Sequence, residues 1–146
     1  MKIFLPILLV TSLTFAQKSA PTVEYFWAWH ADTLGTIEIP KGYRVTNTEY
    51  GEGLITHISY KDGSSINLHF GGVVKLPFCQ LPGCVLIDST RNAKYLSRSG
   101  YTKKGYLLWR EDNYAVLFNT WYIDVKKSNR IIFDKSLSSF IIKKKL

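Results

Sequence analysis

Two short alternating apolar runs, Leu54 to Tyr60 and Ser65 to Phe70, flank Lys61-Asp62-Gly63-Ser64, and this pattern constrains the fold more than any other stretch of the chain. It reads as a β-hairpin. A two-residue Asp62-Gly63 loop would place Thr56, Ile58 and Tyr60 on one face with Ser65, Asn67 and His69, mixing core and solvent on both sides. A three-residue loop, with a type I turn over Tyr60 to Gly63 and Gly63 in the left-handed region, pairs Tyr60 with Ser64 instead. Leu54, Ile58, Tyr60, Ile66, Leu68 and Phe70 then share a core face. His57, Ser59, Asn67 and His69 share the other, with Ile55 as its apolar exception.

The N-terminus has the make-up of a secretory signal. Lys2 precedes an apolar run from Ile3 to Val10 interrupted only by Pro6, and small and polar residues lead to Thr14-Phe15-Ala16. The run is shorter than the ~20 residues that span a bilayer. Cleavage after Ala16 is expected, so residues 1–16 are a signal peptide and 17–146 an exported globular domain, periplasmic or secreted. No cysteine lies near the cleavage site to accept a lipid, and no later run is long and apolar enough to span, so no transmembrane segment is expected after cleavage. Residues 17–146 suffice for one domain, and no repeat or low-complexity tract marks an internal boundary.

The net charge of +8 is unevenly distributed. Residues 17–88 carry 5 Lys or Arg against 7 Asp or Glu, whereas residues 89–146 carry 13 against 4. A one-sided field can attract an acidic partner, and it can equally be a solvated face that keeps the chain soluble. The scatter of these cations over several elements favours the solvated face, and no nucleic-acid partner is expected.

Tyr25-Phe26-Trp27-Ala28-Trp29-His30 is the most aromatic stretch. As a strand it would put Tyr25, Trp27 and Trp29 on one parity, a platform for a flat ligand or, more commonly, part of the core. Pro21 could instead open a short helix there. Thr36 to Ile39 alternates like a strand and is stopped by Pro40-Lys41-Gly42. Gly51-Glu52-Gly53 lacks a following Lys-Ser or Lys-Thr and leads into a strand, which excludes a phosphate loop.

Cys79 and Cys84 bracket Pro82-Gly83, an ideal type II turn centre. In an exported chain with only these two cysteines a disulfide is expected. Closing so short a loop contributes about 2 kcal/mol, so the bond would stiffen a loop rather than hold the domain together. A second hairpin is expected from Tyr106 to Trp109 and Tyr114 to Asn119, turning over Arg110 to Asn113, with strands apolar on both parities and therefore central. The last element reads as a helix capped by Ser128, with Ile132 or Phe133, Leu137 and Phe140 forming the apolar stripe and Lys143 to Lys145 beyond its C-terminus. The fold class that follows is α+β: a single domain with an antiparallel sheet of hairpins and a C-terminal helix packed on it.

The Ile-Pro-Lys-Gly-Tyr segment (Ile39 to Tyr43), the hairpins and a last helix ending in Ser-Ser-Phe-Ile-Ile (Ser138 to Ile142) together resemble small exported domains of the PsbP-like class. The signal ending Thr14-Phe15-Ala16-Gln17 is similar to those of many exported Bacteroidota proteins. The resemblance covers most of the mature chain in layout and these two segments in residues. It implies an antiparallel sheet sandwiched by helices and a role in binding or assembly, and it carries over no catalytic residues.

The one constellation with potential chemistry is histidine. In the hairpin register His57 faces Asn67 and lies diagonal to His69, close enough for both imidazoles to share a metal, with His30 and Asp32 as further ligands. No His-Glu-x-x-His, Gly-x-Ser-x-Gly or Ser-x-x-Lys motif occurs. The sequence therefore points to a non-catalytic extracytoplasmic binding or assembly module without a cofactor, its partner an unknown protein or an anionic envelope component. The alternative is a small metal-dependent hydrolase using His57 and His69.

Overall fold

The computed structural model describes residues 23–30, 33–51, 53–71, 83–102, 106–114 and 118–144. The described chain opens with a hairpin of β1 (Val23–His30) and β2 (Thr33–Pro40). It continues through β3 (Tyr43–Tyr50), β4 (Gly53–Tyr60) and β5 (Ser65–Phe70). Four further strands follow: β6 (Cys84–Arg91), β7 (Tyr95–Thr102), β8 (Leu108–Tyr114) and β9 (Phe118–Val125). A 3-10 turn (Lys127–Asn129), helix α1 (Arg130–Ser138) and β10 (Ile141–Lys144) close the order.

Two antiparallel sheets result. β3-β4-β5-β9-β8-β7-β6 forms a seven-stranded sheet, and β1-β2-β10 a three-stranded one. The large sheet is two meanders, β3 to β5 and β6 to β9, joined where β5 pairs β9. The small sheet and α1 form a second layer on one of its faces, and Ile37 and Ile39 of β2, Phe133 and Leu137 of α1, and Phe140 meet Ile58, Ile66, Leu68 and Phe70 in one core. The class is α+β, as the alternation and the final helix predict. Among the described residues the α-helix lies on one side of the large sheet, so the helical layers on both sides implied by the PsbP-like resemblance are not part of the described structure.

The first hairpin has the expected register. Leu54 opposes Phe70, Ile58 opposes Ile66 and His57 opposes Asn67. Tyr60 N–H donates to Ser64 O at 2.9 Å, Gly63 N–H to Tyr60 O at 3.1 Å, and Gly63 has φ of 89°. Asp62 Oδ1 accepts from Ser64 N–H at 3.1 Å and from its hydroxyl at 2.6 Å, which fixes the turn.

The second hairpin is a correction. β8 runs through Arg110 to Asn113, the residues expected to form its turn. Arg110, Glu111 and Asp112 are charged because they form ion pairs within the sheet rather than because they face solvent. Arg110 donates bidentately to Asp112, from Nε at 3.0 Å and Nη2 at 2.8 Å, while Glu111 on the other face pairs with Arg98. β8 and β9 are interior strands of the sheet, but their bounds differ from the expected Tyr106–Trp109 and Tyr114–Asn119, and residues 115–117 of the expected second strand lie outside the described residues.

The helix also differs from expectation. Asn129 rather than Ser128 precedes its first turn, without a side-chain cap bond. It ends at Ser138 because Ser139 turns back on it, donating from Oγ to Ser136 O at 2.7 Å and accepting at Oγ from Glu38 N–H at 2.8 Å. Lys143 and Lys144 therefore belong to a strand paired with Leu34 and Thr33, not to a cationic tail beyond a helix end. Gly35 makes this docking possible, since a Cβ there would lie 2.9 Å from the Phe140 ring and 3.0 Å from Phe70.

Arg110 ties the layers together. Besides Asp112, its Nη1 donates to Asp134 O at 3.2 Å and to Ser138 Oγ at 3.2 Å, and it pairs with Asp134 Oδ1 at 3.5 Å. Burial opposes its charge, and Asp112, with Asp134 adding to it, overcomes that effect so the guanidinium is held above its ordinary pKa. Asp112 is fully buried. Removing the guanidinium strands that carboxylate, so Arg110→Met is expected to cost about 3 kcal/mol in urea unfolding. Adding Asp112→Leu should recover most of the loss, whereas a single-variant loss under about 1 kcal/mol would mean that the pair is not buried as described.

Candidate functional site

Two places gather polar side chains: the face of the large sheet opposite the core, and a cleft at one end of the sandwich. On the far face, rows of residues cross the strands in register. One row runs His57, Asn67, Trp121, Glu111, Arg98, and the next runs Ile55, His69, Asn119, Asn113, Leu96. This face is not the solvated surface expected from its polarity: Asn67, His69 and Glu111 are buried, His69 to 1 % exposure.

Their hydrogen bonds account for that burial. His57 Nδ1 bonds Asn67 Oδ1, and Asn67 Nδ2 donates to Ser65 Oγ at 3.3 Å. A carbonyl oxygen only accepts, so the His57 proton sits on Nδ1. Asn119 Nδ2 stands 3.3 Å from His69 Nδ1, and an amide nitrogen only donates, so the His69 proton sits on Nε2 and faces Tyr50 Oη. The Tyr50 ring stacks on His69 at a centroid distance of 5.7 Å. The two imidazoles thus hold opposite tautomers.

This matters for the expected metal site. Both His69 nitrogens are engaged, so ligation there requires loss of Asn119 or Tyr50. Among the described residues no group of three or more His, Cys, Asp and Glu stands close enough to hold a metal ion. His30 lies in β1 of the other sheet, opposite Thr33, and Asp32 lies outside the described residues. Sequence reasoning found the facing of His57 and Asn67 but missed Tyr50 and Asn119, which come from other strands. The β4–β5 register alone could not reach them.

The other expected sites are placed as follows. Tyr25, Trp27 and Trp29 lie in a strand rather than a helix and oppose Glu38, Thr36 and Leu34, the set alternate to core residues Ile37 and Ile39. Cys79 lies outside the described residues, and Cys84 starts β6, half-buried and packed with the Trp109 and Trp121 cluster.

The cleft lies where the β4–β5 turn, the β2–β3 turn and the start of α1 converge. One lobe, about 300 Å³, has walls of Pro40, Tyr60, Ile132 and Phe133 and a rim of Lys61, Asp62 and Asn129. A second depression, about 500 Å³, is lined by Tyr43, Arg44 and Ser59 and shares Gly42, Tyr60 and Lys61 with the first; Arg44 and Ser59 oppose each other on the sheet face away from the Tyr43 and Tyr60 rings. Tyr60 is fixed between them. Its hydroxyl donates to Pro40 O at 3.1 Å, and its ring meets Phe133 edge to face at 5.4 Å and Tyr43 at 6.4 Å. Gly42 has φ of 89°, so the β2–β3 turn needs glycine and leaves the shared wall without a side chain.

The rim has an uneven electrostatic character. The Ser64 hydroxyl holds the Asp62 carboxyl below the usual range, with Lys126 adding to the effect, and Asn129 Nδ2 reaches its second oxygen at 3.4 Å. Lys61 shares the rim with it and Lys126 acts on it; both are exposed, as are Lys41, Arg44 and Lys127 in the adjoining segments, and none of the five forms an ion pair with a described residue. In the sequence the Lys61–Ser64 segment gives a turn signal only. Its second role depends on Asn129 and Phe133, which are more than sixty residues away.

Compared with known proteins, the chain matches no family model, no curated protein and no solved structure. The tautomers provide a direct check on the far face. Long-range proton–nitrogen NMR at neutral pH is expected to show His57 protonated on Nδ1 and His69 on Nε2. Equal populations at His69 would break the assigned contact with Asn119.

Proposed function

We propose that the protein is a non-catalytic binding module of the cell envelope, and that the cleft is its ligand site. The observation that supports this reading is the combination in one open depression of a fixed aromatic wall, Tyr60 and Phe133, with an exposed cation on its rim, Lys61, that forms no ion pair with a described residue. Ligand sites combine apolar walls with a few placed polar groups in this way. The far-face histidines fit a structural role better, since their ring nitrogens bond neighbouring side chains. In keeping with the PsbP-like resemblance, we place the protein among small exported binding or assembly factors with a sandwich fold. The described residues contain no helix long and apolar enough to cross a membrane.

Export has its own test. The protein recovered from the envelope should begin at Gln17, and Cys79 and Cys84 should resist alkylation until reduced. An N-terminus at Met1, or thiols that alkylate without reduction, would remove the exported reading.

The ligand site is tested by capture. The purified chain is incubated with the native envelope fraction beside its Arg44→Glu/Lys61→Glu variant, which alters two exposed residues and should leave the circular dichroism unchanged. A specific ligand recovered with the wild type should fall at least about tenfold with the variant, the effect expected for reversing charge-assisted contacts. Equal recovery by both proteins, or none by either, would reject the cleft as the site.

A further inference from the structure

We infer that β3 is the surface through which two copies of this chain pair, edge to edge and antiparallel, about a two-fold axis at Thr46, so that two large sheets become one. The inference does not rest on the cleft as a ligand site, and no ligand enters its test.

The large sheet ends in two edge strands, β3 and β6, and they differ. An edge strand presents a row of unpaired backbone N–H and C=O groups, which proteins blunt with bulges, charges or short strands. β6 has such a bulge between Leu86 and Asp88, where its register against β7 shifts. β3 instead pairs with β4 in unbroken register from Tyr43 to Tyr50, contains no proline, and exposes every residue from Arg44 to Glu49. Its charges stand toward its ends, and the interior run Val45-Thr46-Asn47-Thr48 is uncharged and rich in β-branched residues. The outer side of β3 is therefore open to a further strand, as in strand addition to an exposed sheet edge.

Parity decides how two copies meet there. Opposed residues of an antiparallel pair share a face, and a two-fold axis normal to the sheet keeps each face on its own side, so a residue must oppose one of its own parity. An axis at Thr46 satisfies this from Tyr43 to Glu49. On the face away from the core Thr46 then opposes its own copy and Arg44 opposes Thr48; on the core side Val45 opposes Asn47 and Tyr43 opposes Glu49.

Val45 selects this register. It is 38 % exposed although it shares the core-side parity of its partner Ile58, which is fully buried. The axis at Thr46 brings the two Val45 side chains to diagonal positions, where each covers the other. An axis at Asn47 would set Val45 against Glu49 instead.

Charge favours a second copy of the chain in the antiparallel sense. Lys41 and Arg44 stand at the start of the strand and Glu49 near its end, all three are exposed, and none forms an ion pair with a described residue. Antiparallel pairing lays the cationic end of each copy along the acidic end of the other, and it does so twice. No two like charges are opposed. Because the contact is isologous it closes on itself and stops at a dimer.

The test uses the purified full chain alone. A single strand pair covers less than the ~1,200 Å² of a standard stable interface, so sedimentation equilibrium should show a reversible monomer–dimer exchange between about 10 µM and about 1 mM. Over the same range the backbone amides of β3 should shift and those of β6 should not. Thr46→Lys places two like charges on the axis and should weaken the dimer by about fivefold with the circular dichroism unchanged. Arg44→Glu should weaken it by about threefold, and adding Glu49→Arg should restore it. A chain that is monomeric at about 1 mM, shifts confined to β6, species larger than a dimer, or a Thr46→Lys variant that pairs like the wild type would each overturn the inference. So would β3 amides that move only when an envelope extract is added, an outcome that would assign the edge to a foreign strand.

Discussion

The fork of Arg110 over Asp112 is the contact on which the arrangement of layers depends. A buried carboxylate in the middle of a sheet is tolerated only when its charge is matched with good geometry, and Arg110 matches it with two parallel N–H bonds from two residues away on the same strand face. The same guanidinium has donors left over, and these reach the backbone and side chain of Asp134 and the hydroxyl of Ser138. Tyr122 donates to Asp134 Oδ1 at 2.9 Å and Arg130 pairs with Oδ2 at 3.2 Å. The orientation of α1 on β8 and β9 is therefore set by directional bonds as well as by the fit of Phe133 and Leu137. Apolar packing alone would allow the helix to slide; a fork that must satisfy a buried charge does not.

The cleft is a consequence of that orientation. With α1 held at Asp134 and Ser138, its first turn projects past the end of the sheet, and Asn129, Ile132 and Phe133 stand over the β4–β5 turn. The opposite wall is set by the Tyr60 hydroxyl on Pro40 O, which joins the end of β4 to the end of β2 across the two layers. The depression is thus bounded by contacts that are themselves part of the core. Its shape does not depend on a flexible loop.

How far the sequence could be read follows from how local each interaction is. The Leu54–Phe70 hairpin was fully legible, because turn chemistry at Asp62-Gly63-Ser64 and the alternation on both sides are independent signals that agree. The β8–β9 hairpin was legible as a pair of central strands but not in its turn. Arg110, Glu111, Asp112 and Asn113 have the polarity of a loop, and only partners on β7, α1 and the same strand account for the burial of Glu111 and Asp112 and the half-burial of Arg110 and Asn113. The helix was legible in its stripe, Phe133 and Leu137, and not in its end, since the hydrogen bond from Glu38 N–H to Ser139 Oγ joins residues 101 positions apart. The far-face histidines show the same limit: the pair His57 and Asn67 belongs to one hairpin, whereas Tyr50 and Asn119 reach His69 from β3 and β9.

The charge of the chain carries the last step. By sequence the excess of cations belongs to the C-terminal half, but the fold spends Arg98, Arg110, Arg130 and Lys135 on ion pairs with Glu111, Asp112, Asp134 and Glu38. Exposed cations with no ion pair to a described residue come from both halves, among them Lys41, Arg44 and Lys61 from the acidic one and Lys126 and Lys127 from the basic one. Lys126 is brought to Asp62 across more than sixty residues of chain, and no run in the sequence displays that approach. At physiological salt the screening length is about 8 Å, so charges gathered at one cleft act on the same ligand, whereas the same charges dispersed over the surface would not. Asp62, held ionised by Ser64, is an anchored acceptor on the same rim as Lys61, so the turn presents both signs of charge side by side.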